Sequence, residues 1–237
     1  MLIAGYETHE YAIPVAGCTL RLLGPKWPHA VHNDPRRQAY YDQAGYRPYW
    51  TLPWPAAVML AEHVIRHVPP EPQPILELGA GLGLVGLALT QAGHRVIVTD
   101  CDEETLEFAR ASARLNSLEL YAVRPLDWRQ PPAERYATIV GAEILYAPEA
   151  LAPVAKLLAT CLAPAGSAYV SDANRRSAET FPAALHAAGL DFRQSKARAP
   201  AIPGFDSVDG RVFDGTVYHV FRPHDPGTQT ELRPSWT

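Results

Sequence analysis

Cysteine is scarce: Cys18, Cys101 and Cys161 stand far apart, with no C-x-x-C pair. That excludes a disulfide framework, offers no zinc site and suits a reducing compartment. Long apolar runs are missing as well, so no segment approaches the ~20 residues needed to cross a bilayer. The opening MLIAGYETHE lacks a basic stretch followed by an apolar core and does not read as a signal peptide. Nor is there an excess of positive charge: 21 Lys and Arg stand against 25 Asp and Glu, a net charge of −4, which argues against a general nucleic-acid binder. The expectation is a cytoplasmic protein with neither membrane nor nucleic acid as partner.

What the chain does hold is alternation. Residues 11–23, YAIPVAGCTLRLL, predict a hairpin turning near Ala16-Gly17. Residues 24–53, rich in Pro, His, Tyr and Trp without periodicity, predict an irregular segment. Pro55 then opens a helix with Ala57, Leu60, Ala61, Val64, Ile65 and Val68 at helical spacing. After the breaker PPEPQP, strands at 75–79, 95–99, 118–123, 137–142 and 167–171 alternate with helices at about 83–92, 103–115, 151–162 and 178–188. Gly93 and Gly189 close two of the helices, and Asp102 is the candidate cap of the 103–115 helix. Two last strands, 191–196 and 216–222, have no helix between them and predict an antiparallel pair at one edge. The fold class is therefore α/β: a doubly wound, mostly parallel, Rossmann-like sheet with an antiparallel edge strand and an N-terminal hairpin and irregular extension. The domain division expected is 1–53 for the extension, 54–222 for the sheet domain and 223–237 for a loose tail.

The chemistry centres on PILELGAGLGLVG, residues 74–86. A short apolar run meets four glycines within eight residues and then a helix, the junction at which backbone N–H groups can approach a polar cofactor. Gly81, Gly83 and Gly86 satisfy G-x-G-x-x-G, and Asp100 ends the next strand, where a carboxylate can accept two ribose hydroxyls. That fits a nicotinamide dinucleotide and S-adenosylmethionine equally. Glu77 tilts the choice, because a negative charge at the pocket is awkward beside a pyrophosphate and welcome beside an ammonium. Asp127-Trp128, after the third core strand, offers an acceptor for an exocyclic amine and a flat surface for adenine. No Tyr-x-x-x-Lys pair supports short-chain dehydrogenase chemistry.

Taken together, these residues resemble the class I, seven-strand S-adenosylmethionine-dependent methyltransferases over residues 48–222. PYWTLPWPAAVMLAEHV (48–64), LELGAGLGLVG (76–86), LDW (126–128) and GAEILYAPE (141–149) look most like the non-SET protein lysine methyltransferases. The resemblance implies a cofactor site of Trp50, Glu77, Gly79, Ala80, Gly81, Gly83, Asp100, Cys101, Asp127, Trp128 and Ala142. Trp50 and its neighbours would close over the methionine end. It also implies an Asp-x-x-Tyr motif after the fourth core strand, read here as Glu143-Ile-Leu-Tyr146 with one extra methylene, so Glu143 and Tyr146 are the candidate catalytic residues. The implied partner is a protein substrate, with a small-molecule acceptor or a non-catalytic binding module as alternatives.

The histidines carry less. His63 and His67 share a helical face, but H-V-I-R-H is not H-E-x-x-H, and His29, His32 and Asp34 lie in an irregular stretch; no metal is expected. Cys101 reads as a small neighbour of the cofactor and Cys161 as core.

Overall fold

The computed structural model describes residues 1–44, 48–202 and 211–223. The chain begins with three antiparallel strands, β1 (Leu2–Ile3), β2 (Tyr6–Val15) and β3 (Cys18–Pro25). Two-residue Ala-Gly turns join them: Ala4-Gly5 and Ala16-Gly17 all have positive φ, the twist that matches a tight hairpin. The predicted hairpin is there, longer than its apolar core suggested.

The 24–53 stretch departs from expectation. It forms two helices, α1 (Pro28–His32) and α2 (Pro35–Ala44), and a 3-10 turn at Tyr49–Thr51. Pro28 and Pro35 act as first helical residues, where a missing N–H costs nothing. Asp34 accepts the backbone N–H of Arg36 at 2.9 Å and so caps α2.

The sheet domain follows: α3 (Pro55–His67), β4 (Ile75–Leu78), α4 (Leu84–Gln91), β5 (Val96–Asp100), α5 (Glu103–Leu115), β6 (Ala122–Pro125), β7 (Tyr136–Ala142), α6 (Pro148–Cys161), β8 (Leu162–Asp172), α7 (Phe181–Ala187), β9 (Asp191–Pro200) and β10 (Val212–Phe221). A 3-10 turn at Arg176–Thr180 takes the first part of the helix expected at 178–188. The strand order is β6-β5-β4-β7-β8-β10-β9; β10 runs antiparallel to both its neighbours and the rest pair in parallel. Order reverses between β4 and β7, so the carboxyl ends of these two strands flank a crevice. The third core strand starts four residues later than predicted, because Leu118 and Leu120 pack against the hairpin's core instead of extending it.

The hairpin is not an appendage. Ile13, Leu20 and Leu22 are fully buried in one cluster with Leu84, Leu87 and Phe108 of α4 and α5. Its backbone is tied to α5 as well: Leu23 donates to Ser112 Oγ at 2.9 Å, and Asn116 exchanges two hydrogen bonds with Arg21. The tail expected at 223–237 lies, beyond Pro223, outside the described residues.

Candidate active site

The crevice at the carboxyl ends of β4, β5 and β7 opens into a cavity of about 290 Å³. Its floor is the turn after β4. Gly79 and Gly81 adopt φ of +61° and +52°, and at Gly79 a Cβ would come within 2.8 Å of the Trp128 ring and 2.9 Å of Ile144. Ala80 donates its N–H to Thr99, and Thr105 Oγ1 donates to the Gly81 carbonyl at 2.6 Å, pinning the turn to β5 and α5.

Asp100 closes β5 with its carboxylate against this turn. Each oxygen takes one backbone N–H, from Gly81 at 2.9 Å and from Asp102 at 3.0 Å, and keeps a lone pair to spare. Burial pushes the carboxyl up to about 6 despite those two bonds. Cys101 lines the wall beside it, its thiol raised by burial and then by Asp100.

Glu77 lies at the inner wall with 2% of its surface exposed. Its Oε1 accepts the Gly86 N–H at 3.0 Å, inside the first turn of α4, and Oε2 has no partner among the described residues. Burial pushes this carboxyl up to about 8, with the nearby Asp100 adding to the rise. The bond to Gly86 joins β4 to α4.

Asp127 and Trp128 follow β6 on the cavity's far side. The Arg129 guanidinium clamps Asp127 and lowers its carboxyl, keeping it an ionised acceptor. Trp50 lines the cavity through its backbone edge near Gly81, while its indole turns into α5, donating to Asp102 at 3.2 Å and packing on Phe108. Gly83 stands apart. It caps α4 at φ +87°, off the cavity wall, where a Cβ would meet that of Ala109 at 2.8 Å. Every other predicted residue, Ala80 and Ala142 included, lines the cavity.

Glu143 follows β7 in the left-handed region at φ +55°, a backbone strain that for a non-glycine residue must be held by its surroundings. Its N–H donates to Ser171, its carboxyl is buried, and Oε2 accepts from Arg175 Nε at 2.5 Å. Burial raises the Glu143 carboxyl and the guanidinium opposes that rise. Tyr146 lies edge-on to Tyr49 at 5.1 Å and tilted against Trp128 at 6.4 Å, and its phenol is pushed up by burial. The Arg175 guanidinium also sits over the Trp54 ring at 5.0 Å. Sequence reasoning missed Arg175 and Tyr49, because nothing in the spacing links them to Glu143.

The family model described as lysine methyltransferase matches residues 51–185, more than half of the chain and nearly all of this site. The chain belongs to the lysine methyltransferase family.

Among relatives, the mouse histone-arginine methyltransferase METTL23 is 31% identical over 160 residues, covering 62% of this chain and 56% of that one. The human protein-lysine N-methyltransferase EEF2KMT is 34% identical over 131 residues, covering 46% of this chain and 40% of that one. The chain spans about half the length of the curated relatives it matches. In fold it is similar to the TehB-like methyltransferase of Corynebacterium glutamicum, with a TM-score of 0.53 and 20% identity over 83% of this chain and 100% of that one.

S-adenosylmethionine is the family's cofactor, and the residues present fit it. Asp100 faces the cavity with an acceptor to spare for a ribose, the missing Cβ atoms at Gly79 and Gly81 let backbone approach closely, and Asp127 with Trp128 offers an amine acceptor beside an aromatic face. The dinucleotide alternative loses its standing with the family match. Among the described residues no cluster of His, Cys, Asp and Glu could hold a metal, and no helix is long and apolar enough to cross a membrane.

Proposed function

We propose that this protein transfers the methyl group of S-adenosylmethionine to the side-chain amine of a lysine in a protein substrate. The observation that carries the reading is one cavity with two chemistries. The glycine turn and Asp100 form one end, and a buried carboxylate among aromatic rings, Glu143 with Tyr49, Trp54 and Tyr146, forms the other. Rings beside a carboxylate suit an organic cation. That the human relative EEF2KMT is a protein-lysine N-methyltransferase supports the same acceptor. The free cysteines of this chain, Cys18, Cys101 and Cys161, support a cytoplasmic setting.

Bound at the glycine turn, the cofactor supplies a methyl group already activated by its sulfonium. The chain must then align a lone pair with that carbon and strip the acceptor of a proton. Glu143 orients the incoming ammonium through its carboxylate. Tyr146 shapes the slot and accepts an N–H. The aromatic walls thin the water around the nitrogen, lowering its pKa and easing loss of the proton to solvent. Glu143 therefore need not serve as the base.

An arginine acceptor has one observation in its favour, since the Arg175 guanidinium already fits between Glu143 and Trp54. The test is transfer of labelled methyl from S-adenosylmethionine to proteins of a cell extract, with mass spectrometry of the labelled peptides. Label on lysine supports the proposal, label on arginine replaces the acceptor, and label only on small molecules overturns it. Binding of S-adenosylhomocysteine without any transfer leaves a cofactor-binding module in its place.

A further inference from the structure

The acceptor end of the cavity already contains a cation, and the chain supplies it. Arg175 caps the 3-10 turn that follows β8, and Glu143 directly follows β7, the strand paired with β8. Its backbone N–H is fixed by Asp172 Oδ1 at 2.6 Å, while its guanidinium bonds Glu143 Oε2 and lies over Trp54. Ser177 Oγ donates to the Leu145 carbonyl at 2.6 Å, so the turn after β8 is stitched to the E-x-x-Y turn at a second point. The guanidinium is about one-third exposed and Glu143 only 7%. The pair thus sits with the carboxylate inside and the cation at the mouth.

We propose that Arg175 is a specificity-determining residue: its guanidinium occupies the carboxylate-and-aromatic slot that an incoming ammonium needs, so an acceptor must displace it to enter. This rests on the reading of Glu143 as the acceptor's anchor. A cation held in place by one anion and one ring is what a lysine would also seek there, and the place beside Glu143 and over Trp54 that the guanidinium fills is closed to a second cation while it stays. Glu143 Oε1, buried and without a hydrogen-bond partner among the described residues, is a further acceptor for a newcomer once the guanidinium moves. A protein segment that carries its own acid to receive Arg175 would open the slot, whereas a bare amine would not. Arg175 thereby selects acceptors whose flanking sequence is acidic.

The test uses the full chain saturated with S-adenosylhomocysteine and n-butylammonium, a copy of the lysine side-chain end, as the titrant in calorimetry. Arg175→Met keeps the packing stem over Trp54 and removes the charge. If the slot is mostly held closed, the variant should bind butylammonium about tenfold more tightly, since the occupied fraction no longer taxes binding. Arg175→Lys should bind no more tightly than the parent, and adding Glu143→Gln to Arg175→Met should erase the gain. Unchanged or weaker binding by Arg175→Met, with S-adenosylhomocysteine affinity intact, overturns the proposal. In peptide assays, Arg175→Met should lower KM for neutral-flanked lysine peptides, narrowing the advantage of acid-flanked ones. If Arg175→Met gains butylammonium affinity but no lysine peptide is methylated, the occupied slot stands and the lysine reading falls.

Discussion

A carboxyl with almost no solvent and one hydrogen bond is a poor place to keep a charge, and Glu77 is such a group. Its ordinary value of 4.5 rises to about 8 in the folded protein, with desolvation as the main cause and the nearby Asp100 adding to it. The sign follows from linkage. The protonated form is favoured by folding, so Glu77's contribution is fully present below about 4.5 and is lost as pH rises toward 8. Asp100 acts in the same direction but earlier, between 3.8 and about 6. Between 6 and 8 two opposed contributions meet: that of Glu77 is lost as pH rises, while those of His63, His94 and His219, all lowered from 6.5 by burial, are gained. A Glu77→Gln variant keeps an oxygen for Gly86 and cannot ionise. The histidines are common to both proteins, so the Tm of the parent should fall by several degrees relative to that of the variant between pH 6 and pH 8, on the order of a few kcal/mol. Thermal melts of both proteins without cofactor across that range decide it. Parallel profiles would mean that Glu77 is charged in the folded state.

Among the elements, α4 depends most on one residue. Gly83 is its N-cap at φ +87° and offers no side chain, so the cap is made by conformation and by the clearance that Ala109 needs. Gly83→Ala adds both strain and a clash against the neighbouring helix, and should cost about 1–3 kcal/mol. Well below the variant's Tm, S-adenosylhomocysteine affinity should stay close to that of the parent, because the glycine is off the cavity wall. A large affinity loss without a drop in Tm would return Gly83 to the cofactor. The elements also differ in how far the sequence revealed them. Asp102 caps α5 and the 103–115 helix was readable to the residue, since cap, acidic first turn and apolar stripe agree. The helices α1 and α2 were not, because Pro28 and Pro35 read as breakers when they are starters, and α2 is strongly polar with no apolar stripe to betray it. The cavity wall was legible wherever a residue sits at the carboxyl end of a strand, as Asp100, Asp127 and Glu143 do. Arg175 was invisible because its link to Glu143 spans 32 positions and exists only through the pairing of β7 with β8.

At the scale of the whole molecule, the question is whether the hairpin is a separate part or a wall of the same core. Ile13, Leu20 and Leu22 have no exposed surface, and what covers them is α4 and α5, the helices that follow the glycine turn and Asp100. The backbone of β3 adds hydrogen bonds to Ser112 and Asn116 that no solvent-facing hairpin would spend. An element this deeply shared cannot loosen without exposing the back of the cofactor helices. Leu22→Ala should therefore cost about 2–5 kcal/mol, the usual cost of a core cavity. For a chain of this size that lowers Tm by roughly 2–4 °C per kcal/mol. The decisive feature is the shape of the transition. Far-UV circular dichroism, which follows the helices, and tryptophan fluorescence, which sums five tryptophans with Trp50 against Phe108 among them, should move together in one shifted step. If the hairpin were a separate unit, Leu22→Ala would leave the helix signal at the parent's Tm and add an earlier, smaller transition. One coincident step would instead mean that the lysine methyltransferase sheet and its N-terminal hairpin fold as one body, with α5 held in register for Asp100 by contacts made on its far side.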